Sequence, residues 1–125
     1  REAERGIPPQ RLLLAGFSQG GAITLAAGLA RTQPLAGLIA LSTYLPMPLA
    51  LAQQRLQPRA ATQPLFMAHG SFDPVVPVAA GEAGMQALRG FGFDAQWRRY
   101  PMQHQVCAEE IADLADWMGA RLAAG

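Results

Sequence analysis

Lysine is absent from the sequence: all ten basic residues are arginines, scattered except for the pair Arg98-Arg99, and nine carboxylates leave a formal charge of +1. Without a concentrated basic face there is no electrostatic footprint for nucleic acid. Cysteine is nearly absent too. The lone Cys107 has no partner for an internal disulfide, which suits a reducing, cytoplasmic setting. No uninterrupted apolar run reaches the roughly 20 residues of a membrane span, and the opening residues do not read as a secretory leader. Histidine, cysteine and carboxylates form no cluster with metal-ligand spacing, so neither a metal nor another cofactor is expected. Aromatic residues make up only 7%, which leaves core packing mainly to aliphatic side chains. Internal repeats and low-complexity linkers are missing.

What is present suits one compact domain over residues 1–125. Half the residues are hydrophobic and 15% are charged, which excludes a disordered polyelectrolyte. A chain of this length buries roughly two-thirds of its unfolded surface on folding. The opening Arg1 to Arg5 lacks an initiator Met and reads like the last turn of a helix. The chain is therefore expected to begin partway through a larger design.

Short apolar runs alternate with helical patterns. "RLLLAGF" (Arg11 to Phe17), bounded by Pro8-Pro9 and glycines, reads as a strand covered on both faces, although periodicity alone allows a helix. A helix over about Gln19 to Arg31 follows, stopped by Pro34. "LAGLIALST" reads as a second strand, and Pro46, Pro48 and Pro58 mark a loop holding a short helical piece from Leu49 to Leu56. "PLFMAHG" is the third strand, a helix runs over about Pro77 to Gly90, and "DAQWRRYPM" is a fourth, less buried strand near an edge. In the last helix Val106, Ile111, Leu114, Trp117 or Met118, and Leu122 are expected near one face. Four strands alternating with helices imply an α/β fold with a mostly parallel sheet and flanking helices.

The chemistry gathers at the ends of these strands. Gly16-Phe17-Ser18-Gln19-Gly20 is a Gly-x-Ser-x-Gly pattern between a predicted strand and a predicted helix, the context in which a serine projects from a strained corner. The neighbouring glycines are expected to give room that β-carbons would fill. Serine needs a general base oriented by a third group. Of the two histidines, His104 follows the fourth strand, and His69, ending the third, is the competing base. Asp73, in the loop after strand three, is the acid candidate, although Asp before Pro is also a good turn former. The order Ser18, Asp73, His104 is that of α/β-hydrolases. An oxyanion can be met by the backbone N–H of Gln19.

These segments together resemble the phospholipase/carboxylesterase and acyl-protein thioesterase family of α/β-hydrolases. "GIPPQRLLLAGFSQGGA" is similar to its nucleophile region, "LSTYLP" to the segment after the next strand, "HGSFDPVVP" to its acid loop and "YPMQHQVCAEEI" to its histidine loop. The resemblance implies a truncated α/β-hydrolase fold of about four strands, with Ser18 as nucleophile, His104 as general base and acid, and Asp73 as its orienting carboxylate. Gln103 departs from the glycine more usual before the histidine, and a bulkier residue there is expected to alter that loop or narrow the pocket. The resemblance also implies that the family's first strands, and the loop with the second oxyanion donor, have no counterpart upstream of Ser18. The strand Arg11 to Phe17 then becomes an apolar edge through which copies of the chain can pair.

The expected function is a serine carboxylesterase acting on small acyl esters through an acyl-enzyme, with thioesters and lysophospholipids as neighbouring substrates. Met47 and Leu49 are the candidate acyl contacts, in a segment that alternatively only covers the core. Trp97, Trp117 and Cys107 read as packing residues. A non-catalytic association or ligand-binding module that keeps the three residues is the rival, and a peptidase on the same fold a third option.

Overall fold

The computed structural model describes residues 8–124, so the expected helical turn at Arg1 to Arg5 lies outside the described residues. The punctuation by proline and glycine is followed closely. The elements are β1 (Leu13–Phe17), α1 (Gln19–Ala30), β2 (Gly37–Leu41), α2 (Leu49–Arg55), β3 (Leu65–Gly70), α3 (Val78–Gly90), β4 (Ala95–Tyr100) and α4 (Ala108–Ala124), with short 3-10 turns at Pro9–Arg11 and Ala60–Thr62. The boundaries sit a residue or two inside those expected. Pro77, for instance, caps α3 with an extended ψ of 140° instead of entering its first turn.

The four strands are all parallel, in the order β1-β2-β3-β4. β2 and β3 are central and buried at every residue, which is why they read as continuous apolar runs. Their side chains alternate between two cores. Leu38, Ala40, Leu65 and Met67 meet Leu25 and Leu29 of α1, Ala52 of α2, and Met85 and Leu88 of α3. Ile39, Leu41, Phe66 and Ala68 face the other way, with Leu114, Trp117 and Met118 of α4 packed against them. Each fully buried leucine here contributes roughly 1.5–3 kcal/mol. β4 is an edge strand with four of its six residues outside the core, as its mixed composition suggests. β1 is the other edge, paired to β2 alone among the described residues.

The helical face assigned to α4 needs correcting. Val106, Ile111 and Leu122 are exposed, whereas Glu110 is completely buried. The covered stripe runs through Cys107, Glu110, Leu114, Trp117 and Met118, one step back in phase from the hydrophobic pattern. A buried carboxylate in the first turn is what a hydrophobicity pattern cannot register.

Candidate active site

The corner at Ser18 is built from strand, turn and helix in four residues. Ser18 has φ 57° and ψ −118°, outside the ordinary regions for a residue with a side chain. Two hydrogen bonds from the end of β2 hold it there: Ser18 N–H donates to the Leu41 carbonyl at 2.8 Å, and Thr43 Oγ1 donates to the Ser18 carbonyl at 2.6 Å. The Ser18 N–H is thereby used, so it is not free for an oxyanion. The first N–H groups of α1, beginning with Gln19, have no intrahelical acceptor. A β-carbon on Gly16 would fall 2.1 Å from the Gly20 carbonyl oxygen, while one on Gly20 would meet open space. The expectation of room beside the serine thus holds for Gly16 and not for Gly20.

Asp73 and His104 arrive from separate loops. The Asp73 side chain is fully buried after β3, and its Oδ1 accepts 2.8 Å hydrogen bonds from the N–H groups of both Val75 and Val76. His104 follows β4, in a loop that packs against β3 at Gly70, where a β-carbon would lie 2.3 Å from the carbonyl oxygens of Met102 and Gln103. His104 Nδ1 lies 2.7 Å from Asp73 Oδ2, and Nε2 lies 2.9 Å from Ser18 Oγ. Burial alone would raise the Asp73 carboxyl. The His104 hydrogen bond and the two backbone donors outweigh it and hold the carboxyl below its ordinary value.

The structure therefore brings Ser18, His104 and Asp73 into one hydrogen-bonded line across residues separated by as many as 86 positions. It does not bring His69 to Ser18. That ring is buried beneath the acid loop, with Nε2 2.8 Å from the Val76 carbonyl. Gln103 is exposed, and its side chain has not displaced His104 from either partner. Sequence reasoning does not find Thr43, Val76 or Phe17, whose ring lies tilted against His104 with centroids 4.9 Å apart. The aromatic residue beside the serine was the available signal for the last.

Two apolar grooves flank the segment after β2. One, of about 410 Å³, starts at Gln19 and runs along α1 past Ala22, Ile23 and Ala26, with Met47 and Leu51 opposite and Arg55 at its margin. The other, of about 420 Å³, lies against α3 and is lined by Leu45, Met47, Leu49 and Ala83 among others. Met47 thus borders both grooves, including the one that starts beside Ser18, whereas Leu49 lines only the second. Trp117 packs on Phe66 at 5.7 Å and Trp97 against the first core, while Cys107 is half-buried against the second. Among the described residues no His, Cys, Asp or Glu cluster is arranged to hold a metal.

A parallel sheet whose serine stands at a strand-to-helix corner is the architecture of an α/β-hydrolase. A family model described as Phospholipase/Carboxylesterase matches residues 1–121, and the chain belongs to that family. It is similar to acyl-protein thioesterase 1 of Gibberella zeae, 38% identical over 125 residues that cover 98% of this chain and 53% of that protein. It is also 37% identical to a probable carboxylesterase of Oryza sativa subsp. japonica, covering 99% of this chain and 47% of the relative. Among solved structures, SOBER1 of Arabidopsis thaliana superposes with a TM-score of 0.92 at 30% identity, covering 97% of this chain and 58% of that one. The chain spans about half the length of the curated relatives it matches. No described helix is long and apolar enough to cross a membrane.

Proposed function

We propose that the chain carries the nucleophile, base and acid of a serine carboxylesterase that cleaves small acyl esters, with thioesters and lysophospholipids as related substrates. The observation that carries this reading is the unbroken line from Ser18 Oγ through His104 to Asp73 Oδ2. With Nδ1–H donated to Asp73, His104 Nε2 is left as the acceptor, which is the tautomer a general base requires.

In the first step His104 Nε2 takes the Ser18 proton as Oγ bonds to the substrate carbonyl carbon. The resulting imidazolium is stabilised by ionised Asp73, and the oxyanion is met by the Gln19 N–H at the positive end of α1. Collapse of the intermediate breaks the bond to the leaving oxygen, which receives the proton from His104. Water then attacks the acyl-serine, giving its proton to His104, and Ser18 recovers a proton as the carboxylic acid leaves. In this reading the groove starting at Gln19 receives the acyl chain, with Met47 as a contact. Met47 lines both grooves, so Leu49, which lines the groove on α3, is proposed as a second contact beyond it. A cytoplasmic setting fits the free Cys107.

The test is hydrolysis of p-nitrophenyl acetate and butyrate by the chain beside Ser18→Ala, with fluorophosphonate labelling followed by intact mass. Turnover and a single label, both absent from the variant, are the expected result. A rival reading is a binding module that keeps these residues. Equal inertness of folded wild type and Ser18→Ala would select it.

The edge of β1 supports a further part of the proposal, that copies of the chain associate through this strand. Sedimentation velocity should show a concentration-dependent dimer or larger species. A monomer at all concentrations would remove this part.

A further inference from the structure

His69 is the penultimate residue of β3, only 1% exposed, and the reaction proposed above gives it no step. Its Nε2 lies 2.8 Å from the Val76 carbonyl oxygen and 3.6 Å from Asp73 Oδ2. Both are acceptors, so the ring proton must be on Nε2. Nδ1 is then the bare nitrogen; it is buried, without a partner, facing Gly81 of α3, where a β-carbon would stand 2.4 Å away. On its other side the ring approaches Trp97 of β4 at 6.1 Å. The imidazole is thus clasped between helix and sheet with its single donor aimed at the acid loop.

Val76 connects that donor to the active line. Its carbonyl is held by His69, and its N–H is donated to Asp73 Oδ1. One residue is therefore pinned from both sides, and the carboxylate it holds is the one that meets His104 Nδ1 at 2.7 Å. We propose that His69 is a positioning residue: through Val76 it fixes the loop that presents Asp73, and so sets the Asp73–His104 hydrogen bond. Its effect on turnover rests on the esterase reading; its effect on the hydrogen bond does not.

The test compares His69→Leu, which fills the space without a donor, with His69→Gln, whose amide N–H reaches about as far as Nε2. Two readouts are taken on the folded chain. The first is kcat against KM on p-nitrophenyl butyrate. His69→Leu should lose about 100-fold in kcat with little change in KM, the scale expected of a misplaced catalytic group, and His69→Gln should recover most of it. The second is proton NMR of the ring N–H groups. With only two histidines in the chain, the low-field Nδ1–H of His104 is readily assigned. It should be lost to solvent exchange in His69→Leu and retained in His69→Gln.

A His69→Leu protein with wild-type kcat and an undiminished His104 signal overturns the proposal. If wild type turns over no ester, the esterase reading fails and the NMR comparison alone decides the positioning role. Should His69→Leu not fold, ring nitrogen shifts of His69 in wild type decide. The Nε2–H tautomer supports the proposal, and the Nδ1–H tautomer refutes it.

Discussion

A β-carbon on Gly16 would stand 2.1 Å from the carbonyl oxygen of Gly20, so the two outer glycines of the serine motif are unequal partners. Gly16 is the residue whose missing side chain lets the helix start so close to the strand. Gly20 supplies only the backbone that comes near.

Gly16→Ala is accordingly expected to destabilise the chain by at least about 2 kcal/mol, since backbone and not a flexible side chain must move. Gly20→Ala should leave the melting temperature unchanged or raise it, because alanine favours a helix by as much as about 1 kcal/mol over glycine. Thermal melts of the two variants check this, and equal losses would show the corner to be misread.

Asp73→Asn tests the orientation of His104. An amide can turn its N–H toward Nδ1 and reverse the tautomer, for which a loss of about four orders of magnitude in kcat is the precedent. Because the Asp73 carboxyl is depressed in the folded chain, its contribution to stability is present above the ordinary carboxylate range. It is lost as pH falls through the lower, folded value. The difference in melting temperature between wild type and Asp73→Asn should therefore shrink in strong acid. A gap that stays constant down to that range would contradict the assignment.

Glu110 supplies the opposite sign. Both of its oxygens are buried without a partner meeting hydrogen-bond geometry, and burial pushes its carboxyl up despite a lowering influence from the Cys107 backbone. The folded chain thus favours the protonated form, and stability declines as pH rises from the ordinary carboxylate value to the raised one. Glu110→Gln should melt close to wild type in acid and above it at pH 8. A pH-independent difference in melting temperature would rule this out.

The groove along α1 makes a prediction about chain length. Ala26 lies two turns beyond Gln19, so Ala26→Phe should obstruct long acyl groups and leave acetate unaffected. The octanoate-to-acetate ratio of kcat/KM should fall by at least about tenfold, the effect of roughly one methylene's misfit in an apolar pocket. An unchanged ratio would move the acyl group out of this groove.

Much of this molecule is legible along the chain because its signals are local. Pro34 and Pro58 follow the ends of α1 and α2, Pro46 and Pro48 precede α2, and the apolar β2 and β3 announce strands covered on both faces. Gly16 and Ser18 mark the corner because the strain is confined to a few neighbouring residues. Thr43 is different: its hydrogen bond to Ser18 spans 25 positions, and nothing in "LSTYLP" says which carbonyl its hydroxyl will find. Val76 works through backbone groups that any residue but proline would offer. The phase of α4 is not legible in the sequence because Glu110 occupies a position where a charge is least expected, while Ile111 beside it faces solvent.

The sheet has one more consequence. Ser18 stands at the end of one edge strand and His104 follows the other, so their 2.9 Å contact closes a loop of measurement across every strand pair. Even the smallest slip that keeps side chains on their own faces, two residues, would carry Ser18 about 6.6 Å along β1. The hydroxyl and imidazole therefore behave as the two jaws of a caliper, closed only when all three registers are correct. Under the proposed esterase reading, reactivity of that single oxygen would gauge strand alignment across the described sheet.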